Sequence, residues 1–164
     1  MPQHVRHKPP TRLDRPRELI LACPPFRSRV NLSRLVRLAG CAGMETMVVC
    51  GNLKVDPKIA RDAVDSVAII RRRTLVHALR QLREQGYRLV GLEQTDGSQL
   101  IYQFAFPRKT ALVIGHERHG LTSDELAEVD DLIEIPVHGR PASYNVVTAT
   151  TMAVYEYCRQ YPTG

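Results

Sequence analysis

The residues whose types and spacing suit chemistry are concentrated between Ala111 and Val147, ALVIGHERHGLTSDELAEVDDLIEIPVHGRPASYNVV. Two apolar runs, Ala111 to Ile114 and Leu132 to Pro136, each give way abruptly to a polar loop. The first loop sets His116, Glu117, Arg118 and His119 between Gly115 and Gly120, and the second carries His138, Arg140, Ser143 and Asn145. Such loops deliver polar groups to a ligand, because ligands of open parallel sheets sit beyond the carboxyl ends of the strands. Several chemistries are excluded by detail. The run GHERHG lacks the Lys-Ser/Thr of a P-loop, no G-x-G-x-x-G follows the first apolar run of the chain, and Ser143 sits in no G-x-S-x-G elbow. The histidines have the wrong spacing for a helical H-E-x-x-H site and no Cys or Asp completes a ligand set, so no metal is expected.

Polar residues elsewhere are open to two readings. Arg71, Arg72 and Arg73 follow a short apolar run and would lie near the ligand side of a sheet, where phosphate contact is slightly favoured over a solvated turn. Asn31 and Arg37 fall outside the apolar stripe of their segment, so packing does not account for them. By themselves, Asn31 reads as a helix N-cap and Arg37 as a surface charge on a helix flank.

The elements that must position these groups can be read from periodicity. Leu19 to Cys23 is a strand-length apolar run stopped by Pro24-Pro25; Leu32, Leu35, Val36 and Ala39 then recur at the spacing of one buried helix face. Thr46 to Cys50 predicts a second strand, Asp56-Pro57 the start of a short helix to about Val64, and Val67 to Ile70 a third strand. Thr74 offers a cap for a helix whose stripe is Leu75, Ala78, Leu79 and Leu82, with Gly86 as its C′ residue. Tyr87 to Leu92 predicts a fourth strand and Gln99 to Phe106 a short irregular piece. Thr122 and Glu125 form a capping-box pattern before a helix to about Val129, and a long helix is expected from Asn145 to about Gln160. Strands alternate with helices and are mostly continuous apolar runs, which predicts an α/β fold with a mainly parallel sheet covered by helices on both faces.

Composition bounds the answer. A chain of 164 residues suffices for one domain with a real core. No apolar run approaches the roughly 20 residues needed to span a bilayer, and the polar start lacks the apolar core of a secretory signal, so a soluble cytoplasmic protein with no membrane partner is expected. The four cysteines form no C-x-x-C pair and lie mostly in apolar runs, the pattern of buried thiols in a reducing compartment. A net charge of +6 hints at phosphate-bearing partners. Residues 1 to 17 hold Arg6, Lys8, Arg12, Arg15 and Arg17 against Asp14 alone, and are expected to be a flexible basic arm preceding a domain of residues 18 to 164.

Three segments together resemble a known family. Asn31 to Arg37 (NLSRLVR), Ile114 to Leu121 (IGHERHGL) and Ile135 to Ala149 (IPVHGRPASYNVVTA) are similar in order and spacing to the three motifs of the SpoU, or TrmH-like, RNA 2′-O-ribose methyltransferases of the SPOUT superfamily. The likeness covers about residues 18 to 160. It implies a C-terminal deep trefoil knot, which ordinary connection rules do not generate, and a homodimer with active sites at the subunit interface. It also implies S-adenosylmethionine as methyl donor and an RNA acceptor, tRNA or rRNA. By the same resemblance Arg37, Asn31 and Glu117 are the catalytic set, with Arg37 stabilising charge on the ribose hydroxyl, since a guanidinium is a poor proton acceptor. Leu92, Ile114, Gly115, Gly120, Leu121, Ile135, Ser143, Tyr144 and Asn145 match the cofactor-binding positions. Tyr144 and Val147 depart from the common Ser-Leu-Asn-Val-Ser of the third motif. Arg71, Arg72, Arg73 and Arg140 are the expected RNA contacts. Two alternatives accompany this reading: a non-catalytic knotted RNA-binding or assembly protein, and a SPOUT enzyme that methylates a base.

Overall fold

Seven strands form one sheet in the order β3-β2-β1-β6-β4-β7-β5, and every pair of neighbours is parallel. They are β1 (Leu19–Cys23), β2 (Thr46–Cys50), β3 (Ala68–Arg72), β4 (Arg88–Leu92), β5 (Gln99–Leu100), β6 (Thr110–Ile114) and β7 (Asp131–Glu134). The computed structural model describes residues 1–5 and 8–164; Arg6 of the expected arm lies outside the described residues.

Helices cover both faces of the sheet. On one side lie α1 (Arg29–Cys41), the single turns α2 (Pro57–Ala60) and α3 (Ala63–Ser66), and α6 (Val146–Gln160). Leu32, Leu35, Val36 and Ala39 of α1 are wholly buried there with Ala153 and Tyr157 of α6. The other side is packed by α4 (Leu75–Glu84), whose Leu75, Ala78, Leu79 and Leu82 meet Ile20, Val48, Leu89 and Val113, with the short α5 (Ser123–Leu126) beyond it. Alternate residues of β1, β2 and β6 thus feed two separate cores, which is why those strands are continuous apolar runs.

Local departures from expectation have physical causes. The N-cap of α1 is Ser28 rather than Asn31; its hydroxyl accepts the Asn31 N–H at 3.1 Å, so the helix starts a turn early and the Asn31 amide is released for another partner. The helix expected after Asp56-Pro57 is split at Arg61, which adopts φ 56°. Arg71 and Arg72 belong to β3 itself, paired with Val49 and Cys50 of β2 on an edge strand that leaves them room. Thr74 stands at the N-cap of α4 without a side-chain capping bond, and α5 is only four residues long although its Thr122/Glu125 capping box is complete. Leu132 to Pro136 resolves into β7 ending at Glu134, with Ile135 and Pro136 beyond the strand.

The last residues of the expected arm are tied to the fold. Asp14 N–H donates to the Thr163 carbonyl at 2.8 Å, and Arg17 is buried, donating to the carbonyls of Ala42 (2.7 Å) and Tyr161 (2.8 Å). Among the described residues no helix is long and apolar enough to cross a membrane.

Candidate active site

The sheet brings the carboxyl ends of β6, β4 and β7 side by side, although the three strands are far apart in sequence. Beyond these ends lies a cavity of about 370 Å³, within the range of small-molecule sites. Its walls come from Leu92, Glu93 and Gln94 at the end of β4, from residues 114 to 120 at the end of β6, and from Glu134, Ile135 and Val137 at the end of β7; Ser143, Tyr144, Val146 and Ala149 close the remaining side.

The loop after β6 is a tight hairpin. His116 and Gly120 exchange backbone hydrogen bonds of 3.0 and 2.9 Å, and Gly120 turns the chain at φ 66°. A Cβ on Gly115 would stand 2.8 Å from the Gly120 backbone, so the two glycines are required for the loop to close on itself. Within it the imidazoles of His116 and His119 stack, centroids 4.1 Å apart with their planes nearly parallel. Burial, and secondarily the neighbouring His119, hold His116 below the ordinary imidazole range, against the opposing pull of Glu117.

Glu117 connects this loop to α1. Its carboxylate accepts the backbone N–H of Arg27 at 2.9 Å and of Ser28 at 3.2 Å, and the Asn31 side-chain amide at 2.7 Å. The start of α1 is therefore fixed against the cavity by one carboxylate. On the C-terminal side, the Asn145 side chain accepts the Val147 N–H at 2.9 Å and caps α6, which orients residues 143 to 149 along the cavity.

Of the candidate site residues, Leu92, Ile114, Gly115, Glu117, Gly120, Ile135, Ser143 and Tyr144 line this single cavity. Leu121 is buried just behind it and Asn145 serves as the helix cap; Asn31 reaches the cavity through Glu117. Arg37 is exposed, two turns along α1 and outside the lining, and has no hydrogen bond or ion pair among the described residues. The arginine run is not one surface. Arg71 donates to the carbonyls of Gly51 (3.2 Å) and Leu53 (2.9 Å), Arg72 to Gln81 (2.7 Å) beside a separate cavity of about 150 Å³, while Arg73 is exposed. Arg140 is exposed in the loop after β7. Sequence reasoning missed Glu93, whose place at the cavity follows from β4 lying between β6 and β7. His116 and His119, whose spacing suits no helical metal site, form the hairpin's stacked pair. Among the described residues no three His, Cys, Asp or Glu side chains converge to hold a metal ion.

The residues present fit a ligand with an apolar ring system and a positive charge. Leu92, Ile114, Ile135 and Val137 supply apolar wall, the glycine hairpin exposes backbone edges for hydrogen bonding, and Glu93 and Glu134 add carboxylates. The thiols of Cys23 and Cys50 are not part of this chemistry: burial pushes Cys23 far up and Cys50 to about 11.

Comparison with known proteins places this arrangement. Residues 18–155 match the model of the SpoU rRNA Methylase family. The chain is 35% identical over 153 residues to the tRNA (guanosine(18)-2'-O)-methyltransferase TARBP1 of Mus musculus, a match covering 89% of this chain and 10% of that protein. It is 32% identical over 135 residues to the 23S rRNA (guanosine-2'-O-)-methyltransferase RlmB of Salmonella typhi, covering 79% of this chain and 55% of that one. The chain thus spans about half the length of the bacterial relative and a tenth of the mouse one. Among solved structures, the A. aeolicus TrmH/SpoU tRNA modifying enzyme superposes with a TM-score of 0.84 at 24% identity, over 92% of this chain and 78% of that one. The AdoMet-bound rRNA methyltransferase of Sinorhizobium meliloti superposes with a TM-score of 0.76 at 26% identity, over 86% and 56% of the two chains. With the matched region spanning all three motifs and the walls of the cavity, the chain belongs to the SpoU rRNA methylase family.

Proposed function

We propose that this protein is an S-adenosylmethionine-dependent methyltransferase acting on a ribose 2′-hydroxyl of tRNA or rRNA. The observation that carries the reading is the hydrogen bond from Asn31 to Glu117, which joins the first motif to the hairpin lining the cavity. A binding module would have no use for an amide and a carboxylate fixed together at the mouth of a small-molecule pocket. The relatives named for guanosine 2′-O-methylation, and the AdoMet-bound structural neighbour, support the same donor and acceptor here.

When bound, S-adenosylmethionine supplies an electrophilic methyl group on a sulfonium sulfur. The chain's own work is positional and electrostatic. Leu92, Ile114 and Ile135 exclude water from one side of the cavity, and the backbone of the Gly115 to Gly120 hairpin offers fixed donors and acceptors. Ser143, Tyr144 and the Asn145 cap hold the opposite wall. Glu117 holds Asn31 at the edge facing the acceptor. Arg37 stabilises developing negative charge on the 2′-oxygen or orients an RNA phosphate; its guanidinium does so as a permanent cation rather than as a base.

Arg37 reaches an active site in this reading through dimerisation. Its exposure, its lack of partners among the described residues, and exposed Val30, Met152 and Tyr155 on α1 and α6 support a homodimer in which these two helices meet a second copy. The reading also includes threading of the segment after β6 into a trefoil knot, supported by the likeness to TrmH/SpoU structures and by β4 lying between β6 and β7. Arg73, Arg140 and the basic residues of the N-terminal arm are the expected RNA contacts, with a cytoplasmic site of action.

The test is transfer of labelled methyl from S-adenosylmethionine to unmodified tRNA and rRNA. Incorporation that depends on Arg37 and Asn31 is expected. A protein that binds RNA but neither binds the donor nor transfers methyl would be the non-catalytic alternative.

A further inference from the structure

Glu93 stands one residue beyond β4, where its N–H still continues the ladder to the Ile133 carbonyl at 3.0 Å. Its carboxylate does not turn to solvent. Oε2 accepts the Leu121 N–H at 2.8 Å, and a Cβ placed on Gly120 or Gly115 would stand only 2.2 or 2.9 Å from that same oxygen. The carboxylate is therefore wedged between the two glycines of the hairpin and ties the hairpin to the neighbouring strand. The other oxygen has one weak contact, the Gln94 N–H at 3.3 Å.

Among the described residues no cation stands within ion-pair distance of this carboxylate, yet Glu93 lines the cavity. Of the other groups facing the cavity, Glu117 is occupied with Arg27, Ser28 and Asn31, and Glu134 accepts the Ser98 hydroxyl at 2.6 Å. Arg118 and His119 also line the cavity but are exposed and form no ion pair with Glu93, and burial disfavours a charge on His116. A half-buried carboxylate with one weakly bonded oxygen and no counterion favours a cationic ligand over a neutral one of the same shape.

We infer that Glu93 discriminates the charged donor from the spent one. This rests on the proposed methyl transfer. In that reaction the S–CH₃ bond breaks with its electron pair remaining on sulfur, an O–CH₃ bond forms, and the ribose hydroxyl loses its proton to solvent. The ligand goes from sulfonium to neutral thioether. The Glu93 carboxylate attracts the first and has no charge to hold in the second, so product yields its place to competing donor. Its bond to Leu121 makes it also a positioning residue for the hairpin.

Titration calorimetry with S-adenosylmethionine and S-adenosylhomocysteine on the wild type, Glu93→Gln and Glu93→Asp tests this without any turnover. Gln keeps an acceptor for Leu121 but removes the charge, so the preference for sulfonium over thioether, expressed as the ratio of the two Kd values, is expected to fall about fivefold, chiefly through weaker sulfonium binding. Asp keeps the charge with a shorter reach, and the ratio is expected to persist even if both affinities drop. An unchanged ratio in the Gln variant overturns the inference. So does loss of both ligands in that variant, or a ratio lost equally in Asp, because a charge effect spares the neutral thioether and survives in Asp. A wild type that binds neither ligand removes the proposed function together with this inference.

Discussion

Glu117 is the residue whose removal the geometry makes most consequential. Its carboxylate accepts three N–H groups, from the Arg27 and Ser28 backbone and the Asn31 amide, at 2.9, 3.2 and 2.7 Å. Hydrogen bonds to a charged acceptor contribute about 1.5–3 kcal/mol each when buried, and roughly 1 kcal/mol each is reasonable for a half-buried site. Glu117→Ala should therefore cost about 2–3 kcal/mol, which for a domain of this size lowers Tm by about 5–10 °C. The Asn31 share can be isolated by a double-mutant cycle with Asn31→Ala, read by urea unfolding. A coupling of about 1 kcal/mol is expected, because the Asn31 amide is a direct side-chain donor to Glu117, whose other two donors are backbone N–H groups that the Asn31→Ala variant keeps. Additive single and double mutants, with coupling below a few tenths of a kcal/mol, would refute the claim that this pair joins the two motifs.

Other consequences follow from the same site. Arg37→Ala should abolish methyl transfer while S-adenosylmethionine affinity, read by calorimetry, stays within about twofold, since Arg37 does not line the cavity; loss of donor binding would contradict its assignment to the acceptor. Because burial, and next His119, lower the His116 pKa, the folded hairpin disfavours protonation. Stability from this residue is full above the ordinary histidine value of 6.5 and declines as pH falls below it toward the lowered folded value. Donor affinity should accordingly weaken below that pH in the wild type and less so in His116→Asn; parallel profiles would count against this. Removal of residues 1 to 12, combined with Arg73→Ala and Arg140→Ala, should weaken RNA binding and flatten its dependence on salt, with donor binding intact. Truncation through residue 17 would instead damage the fold, because Arg17 is buried against Ala42 and Tyr161; equal melting temperatures for the two truncations would disprove that.

What could be read from sequence was local. LILAC and TMVVC are strands of the stated bounds because an apolar run between breakers has few alternatives, and the stripes Leu32 to Ala39 and Leu75 to Leu82 are the buried faces of α1 and α4. The helix start at Asn145 and the Thr122/Glu125 box likewise depend on adjacent residues. The helix start was misread at Asn31, since Ser28 and Asn31 are both good caps and only the distant Glu117 decides between them. The bound of β3 was missed because arginines tolerate an edge strand, and whether β3 lies at the edge is a matter of strand order. Strand order also explains Glu93. Nothing near residue 93 in sequence shows that β4 lies between β6 and β7, and so that its loop opens into their cavity. Arg37 was legible as a candidate only through the resemblance, and in one copy of the chain its side chain stays exposed and away from the cavity lining.

The central claim concerns where the methyl group goes. RNA methylated by the protein with labelled S-adenosylmethionine, digested to nucleosides and resolved by mass spectrometry, answers it directly. The account predicts label on the ribose of a 2′-O-methylnucleoside, lost in Arg37→Ala. Label on a base, or none with protein that binds both donor and RNA, would contradict it.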